Sequence, residues 1–362
     1  MFLAFGEIMM RIAPEGSLRF RQALPGKVEV SFTGAEANVC AMLALLGEKT
    51  RFLSALPKSP IVESLLAVLG GLGVDTAHVL RREVGRLGVY FVETGANQRS
   101  STVVYDRDHS AVSLAEPEEY DFAAALSGAR WVHVTGITPA LGAGAFRSTL
   151  ALVEAAKERG LSVSCDLNFR NKLWRWKPGT SAKQLASESM SRILPRVDLL
   201  IANEEDAADV LGIHAEGTSI EAGRIHARAY HRVAQQIVER FPNLSKVAIT
   251  LRESFSADHN NWGAMLLDVA ADSAYFAPLD EQGEYRPYEI RDIVDRVGAG
   301  DAFGGALIHA LNSNDFAEPA KALHFAVAAS CLKHSIRGDF NYVTKDEIAA
   351  LVAGMASGRV RR

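Results

Sequence analysis

The segment Asp295-Arg296-Val297-Gly298-Ala299-Gly300-Asp301-Ala302-Phe303-Gly304-Gly305 carries the strongest chemical signal in the chain. It follows a strand-like run at 288–294 and opens a helix. Gly298 and Gly300 let the backbone turn sharply and approach a ligand, and Ala299 between them adds little bulk. The first N–H groups of a helix lack intrahelical acceptors, and the helix dipole favours an anion beside them. An acid in that turn would only repel phosphate if anion binding were its whole task. Asp301 makes chemical sense as the group that takes a proton from a hydroxyl attacking a phosphoryl group held at the turn. Two familiar phosphate loops fail here: the dinucleotide fingerprint needs glycine at Phe303, and no Gly-Lys-Ser/Thr sequence occurs. A glycine-rich helix start with Asp as N-cap is the plainer reading, and it stays open.

A second junction, Thr33-Gly34-Ala35-Glu36-Ala37-Asn38, enters the first long helix straight after a strand. Small residues and an amide there suit close approach to a polyhydroxylated ligand, although a simple tight turn would look the same. Gly142-Ala143-Gly144 also opens a helix, lacks an acid, and reads as punctuation.

These segments need a frame to hold them. Apolar runs at 2–5, 51–55, 131–135, 162–166, 199–202 and 246–251 read as strands. They alternate with helical patterns at 35–46, 62–72, 144–159, 184–194, 204–211 and 224–241, and helices at 301–312, 318–333 and 345–352 follow. Strands that are apolar throughout, within such an alternation, predict an α/β fold: a doubly wound, mostly parallel sheet with helices on both faces. Two stretches, 28–33 and 88–105, alternate polar and apolar residues instead. They predict a small β-rich flap over one edge, or on a plainer reading a pair of surface hairpins.

The two glycine-bearing segments together resemble the signatures of the ribokinase-like (PfkB) carbohydrate kinases. Five stretches are similar to the branch of that family acting on 2-keto-3-deoxygluconate. They are Phe5-Gly6-Glu7-Ile8-Met9, the 33–38 junction, Val104-Tyr105-Asp106-Arg107, Gly136-Ile137-Thr138-Pro139 and Asp166-Leu167-Asn168-Phe169-Arg170. The resemblance implies one domain over residues 1–362, with a β-sheet lid from about 11–33 and 86–107 that often mediates dimers. It implies Asp301 as the catalytic base and Gly298, Ala299 and Gly300 as an anion hole. Gly34, Asn38, Tyr90, Tyr105, Arg107, Ile137 and Arg170 would line a sugar-acid pocket. Asn168, Asn203, Thr250 and Arg252 would face the nucleotide. The Asn203-Glu204-Glu205-Asp206 run is similar to a family element that organises Mg²⁺ through water, so Asp206, with Glu205, would reach the metal that way. The implied reaction is ATP- and Mg²⁺-dependent phosphorylation of the terminal hydroxyl of a keto-sugar acid. The alternative is a kinase of a neutral sugar such as fructose, or of a nucleoside, on the same fold.

The choice of a sugar acid has its own physical basis. Its carboxylate could take charge-assisted hydrogen bonds of roughly 1.5–3 kcal/mol from each of two guanidiniums. Arg107 lies two residues after Tyr105, so both could face the same side of a lid strand. Arg170 follows the 162–166 strand, near the strand end where open α/β sheets bind ligands. Four positions depart from the family pattern. Thr33 replaces the first of a usual glycine pair, and 60–63 lacks a Gly-Asp. Asp206 stands in place of Glu, and Arg252 stands where glycine serves the nucleotide loop, with a polar insert at 253–261 after it.

Composition agrees. The 362 residues are 48% hydrophobic and 23% charged, enough to bury a large core. Lys+Arg 39 against Asp+Glu 43 gives a net charge of −4, which argues against a nucleic-acid or acidic-membrane binder. Cys40, Cys165 and Cys331 are far apart and odd in number, unlike a disulfide scaffold. The start has no basic n-region, and no apolar run reaches the ~18–20 residues of a membrane span, so a cytoplasmic location is expected. The ten histidines show no metal-ligand spacing. Trp174 and Trp176 could wall the pocket or belong to the core.

Overall fold

The computed structural model describes residues 1–203, 205–215 and 229–355. Runs without a polar face must be covered on both sides, and they form the middle of a ten-stranded sheet. From one edge the order is Ser273–Ala277, Asn260–Asp268, Lys246–Ser254, Leu199–Ala202, Ser162–Asp166, Trp131–Thr135, Phe2–Phe5, Thr50–Leu53 and Val74–Asp75. Tyr288–Ile290 pairs beside Asn260–Asp268. Pairs from Lys246–Ser254 to Val74–Asp75 are parallel, and those beyond Lys246–Ser254 are antiparallel.

Successive residues feed opposite faces. Leu200 and Ala202 pack with the helices Ala143–Glu158 and Ala182–Ile193, whereas Leu199 and Ile201 pack with Ala299–Leu311 and Pro319–Lys333. The doubly wound fold is as expected. Its strand at 246–251 is longer than its sequence pattern, however. It runs to Ser254, turns, and returns as Asn260–Asp268, so the expected polar insert at 253–261 is largely the tip of an antiparallel hairpin. Asn260, Asn261 and Gly263 break the apolar run and hide the return strand. The run at 288–294 shortens to Tyr288–Ile290, since Asp292 takes a left-handed φ of 55°. The 51–55 strand splits at Ser54, and Ala55–Pro57 pairs instead with Leu80–Arg82. The 224–241 helix is present as Ala229–Arg240, while 224–228 and Glu204 lie outside the described residues.

A separate four-stranded sheet has the order Glu29–Thr33, Met9–Ala13, Gly88–Glu93 and Thr102–Asp106. The stretch at 88–105 is therefore two strands joined by a turn. Met9–Ala13, not read as a strand and only partly inside the expected lid bounds of about 11–33, lies between the two flap segments. One row across this sheet is Ser31, Arg11, Tyr90 and Tyr105, on the side where Met9, Ala13, Tyr90 and Val92 form a small core. Among the described residues, no helix is long and apolar enough to cross a membrane.

Candidate active site

The helix Ala299–Leu311 starts at Gly298, whose φ of 83° is left-handed and strains any residue with a Cβ. Asp295 shapes the approach, its Oδ1 accepting from the Val297 amide at 3.1 Å. The N–H groups of Ala299, Gly300 and Asp301 lie in the first turn, free of intrahelical acceptors. A Cβ on Gly300 would meet no atom within 4 Å, so this turn stands open. It lies in a cleft of about 330 Å³.

Asp301 is half-buried in this cleft, and Asn38 Nδ2 donates to its Oδ2 at 2.6 Å. Burial is the main reason that its pKa rises to about 6, and the charge of Asp339 adds to the rise. The Asn38 bond, Arg170 and Lys333 oppose it. A carboxylate poised there is a base at neutral pH that still holds a proton well.

The helix Ala35–Leu45 brings Asn38 to the site. Gly34 precedes it, and a Cβ at Gly34 would collide with the backbone of Glu7 and Ile8. Glu36, fully buried in the same turn, accepts from Thr135 Oγ1 at 2.6 Å and Thr138 Oγ1 at 2.7 Å. Burial pushes its pKa up to about 7. These bonds tie the turn to the end of Trp131–Thr135, where Ile137 lines the cleft.

On the small sheet, Tyr90 and Tyr105 are cross-strand partners with ring centroids 5.9 Å apart, and both line the cleft. Arg107, just past the strand, is buried and forms an ion pair with buried Glu7. Its guanidinium carbon sits 5.4 Å from the Tyr105 ring centre. Arg170 lines the same cleft, exposed, its Nη1 donating to the Phe169 carbonyl at 2.9 Å. Both expected guanidiniums are thus brought to one cleft with Asp301, in different electrical states. Arg107 is compensated by Glu7, whereas the Arg170 charge acts on the carboxyls of Asp166, Asp206 and Asp301.

The nucleotide-side expectations fall as follows. Asn168, at a left-handed φ of 39°, Asn203, Thr250 and Arg252 all line the cleft. Asp206 lines it too, buried, with its carboxylate accepting from the Phe169 and Asn203 amides at 3.0 Å each. Burial raises its pKa, and those amides hold it down. Asn203 Oδ1 accepts from the Glu205 and Asp206 amides at 2.8 and 2.9 Å, so this side chain holds the turn that enters the helix Asp206–Leu211. Glu205 is exposed and does not line the cleft, so the partnership with Asp206 expected of it is not brought together. Trp174 belongs to the core, and Trp176 stacks on Phe146 with its indole bonded to the Pro139 carbonyl.

Several cleft residues were not singled out from the sequence. Asp166 holds the Asn168 amide at 3.1 Å, and burial, then Asp206 and Asp301, raises its pKa well above the carboxylate range. Glu7 and Asp166 sit inside stretches already marked, and an acid inside a marked strand end was the available signal. Arg296 donates to the Ser256 and Ala257 carbonyls at 3.0 and 2.6 Å, pinning the hairpin tip. Asn260 Nδ2, Trp262 Nε1 and Arg296 Nε are buried donors without a partner, all belonging to residues that line the cleft. Asp339 arrives from a distant loop and carries no local signal. Among the described residues, no group of three or more His, Cys, Asp or Glu could hold a metal ion directly.

Comparison with known proteins agrees with this geometry. The profile described as pfkB family carbohydrate kinase matches residues 1–238 and 266–341. The 2-dehydro-3-deoxygalactonokinase of Haloferax volcanii is 29% identical over 98% of this chain and 98% of its own. The crystal structure of 2-dehydro-3-deoxygluconokinase from Thermotoga maritima shares 41% identity, covering 98% of this chain and 99% of that one, with a TM-score of 0.86. An E. coli structure provisionally named ribokinase II, in complex with ATP and Mg²⁺, shares the fold at a TM-score of 0.74 and 18% identity, covering 98% and 99% of the two chains. With a family profile spanning most of its length and a fold shared from end to end, this chain belongs to the pfkB family of carbohydrate kinases.

Proposed function

We propose that this kinase transfers the terminal phosphoryl group of ATP to the terminal hydroxyl of a 2-keto-3-deoxy sugar acid, most simply 2-keto-3-deoxygluconate. The observation that carries this reading is the cleft that holds Asp301, Arg107 and Arg170 together. The named activities of the Haloferax and Thermotoga relatives support it. Arg170, exposed in the cleft, can turn to a substrate carboxylate, which a neutral ketose would lack, and Arg107, already compensated by Glu7, lies in the same cleft.

In this reading the sugar lies against Gly34, Asn38, Tyr90, Tyr105 and Ile137. Asp301 takes the proton as the hydroxyl oxygen attacks. The amides of the Gly298, Ala299 and Gly300 turn face the charge that develops on the transferring group. Asn168, Thr250, Arg252 and Asn203 border the phosphate chain. Mg²⁺, when bound, neutralises charge between the phosphates. With no direct carboxylate cage among the described residues, Asp206 and Asp166 would act on it through water.

The small sheet is read as a lid and as the contact between subunits of a homo-oligomer. Its outer face carries an apolar row, Val30, Ile12, Phe91 and Val104, with Val30 and Val104 exposed. Val30→Glu and Val104→Lys should then shift sedimentation to the monomer. A cytoplasmic setting accords with three free cysteines. The function itself is tested by coupled ADP release with 2-keto-3-deoxygluconate, its galactonate epimer, fructose and a nucleoside. The sugar acids should be turned over and the others hardly at all. Preference for fructose or the nucleoside would reverse the assignment.

A further inference from the structure

The loop after the helix Pro319–Lys333 places one carboxylate where three strands of the small sheet can reach it. Arg11 Nη1 donates to Asp339 Oδ1, while Thr33 Oγ1 and Tyr90 Oη donate to Oδ2, the latter at 2.9 Å. The carbonyl of the same residue lies against Gly298 so closely that a Cβ there would collide with it. Asp295 makes a parallel connection. Its Oδ2 takes Arg11 Nη2 at 2.6 Å and the Gly338 amide at 3.1 Å, and its Oδ1 takes the Val297 amide. Buried Lys333 closes the cluster, donating to the Ile336 carbonyl at 3.0 Å.

Arg11, Asp295 and Asp339 are each at most 5% exposed. Buried ion clusters seldom stabilise a fold more than well-packed apolar side chains would, so stability alone does not account for this one. Its contacts do more: they join three strands of one sheet to the turn that begins the Asp301 helix.

We propose that Asp339 is a positioning residue that locks the small sheet and the Gly298 turn into one unit, so that sugar-facing and phosphate-facing walls are set together. The proposal rests on the kinase reading for what the turn does, and the tie itself rests on geometry alone. Asp339 also faces Asp301, as do Asn38, Arg170, Lys333, Asp166 and Glu36. Burial is the main cause that raises Asp301, and the Asp339 charge adds to it. Arg11, Tyr90 and Lys333 in turn face Asp339.

The test compares Asp339→Asn, Thr33→Val and Tyr90→Phe in the full chain, by hydrogen exchange and by the pH dependence of kcat. Asp339→Asn should speed exchange at 9–13, 29–33 and 88–93 by about tenfold or more, and leave 131–135 and 162–166 as they were. Its acid limb of kcat should move to lower pH, because a like charge beside Asp301 is gone. Thr33→Val and Tyr90→Phe should speed the same exchange with the acid limb unmoved. A folded Asp339→Asn protein with wild-type exchange in the small sheet overturns the proposal. Where Asp339→Asn loses the main sheet as well, the two milder variants decide: faster small-sheet exchange supports the tie, unchanged exchange refutes it. A wild-type chain that phosphorylates no sugar acid refutes the kinase reading instead, and the exchange comparison still stands.

Discussion

Asn38 Nδ2 donates to Asp301 Oδ2 at 2.6 Å, which joins the opening turns of two helices 263 residues apart in the chain. One helix starts beside the small sheet and the other at the anion-binding turn, so this bond sets the base between the two. It also lowers the proton affinity that burial raises in Asp301. Asn38→Leu should therefore remove a buried donor from the carboxylate and shift the acid limb of kcat upward. A pH profile of this variant checks it.

In the wild type, kcat should fall as pH drops through about 6, where Asp301 gains its proton. The stability consequence has the opposite direction. The native pKa of about 6 lies above the ordinary aspartate value of 3.8, so the native state binds the extra proton between these values. Stability attributable to Asp301 is complete below 3.8 and lost as pH rises through about 6. Asp301→Asn should then gain Tm over wild type at pH 8 and gain little at pH 4, which thermal scans at the two pH values measure.

The two arginines should separate. Arg170→Ala removes an exposed charge, so it should raise KM for the sugar acid by roughly 10- to 100-fold with Tm nearly unchanged. Arg107→Ala leaves Glu7 buried and unpaired, and should lower stability by roughly 3–5 kcal/mol as well as weakening the substrate. Arg107→Met combined with Glu7→Gln should recover much of that stability without the affinity. Denaturant melts and steady-state kinetics distinguish the outcomes.

Gly298 and Gly300 should respond differently to alanine. At Gly298 a left-handed φ and the Asp339 carbonyl both oppose a Cβ, so Gly298→Ala should lose at least about 1–2 kcal/mol of stability. At Gly300 a Cβ meets nothing within 4 Å, so Gly300→Ala should melt like wild type and lose nucleotide affinity, which calorimetry with an ATP analogue reports.

The frame was legible because its strands are buried on both faces and read as unbroken apolar runs, from Phe2–Phe5 to Leu199–Ala202. The Gly298 to Asp301 turn and Asn38 were legible because glycine, small residues and one polar group mark a helix start. Local patterns could not show the antiparallel hairpin at 246–268, where two asparagines and a glycine interrupt the return strand. Nor did they show Met9–Ala13 as a strand, five residues too short to mark itself beside the first strand. Asp339 was invisible for a different reason: its partners Arg11 and Thr33 lie 328 and 306 residues away, and only the folded topology brings them together.

The most direct test is single-turnover phosphoryl transfer by Asp301→Asn with saturating 2-keto-3-deoxygluconate and ATP, beside calorimetric binding of the sugar acid. The rate should fall by roughly 10²–10⁴ while sugar affinity stays near wild type. Wild-type turnover in that variant would contradict the role of Asp301 and the chemistry built around it.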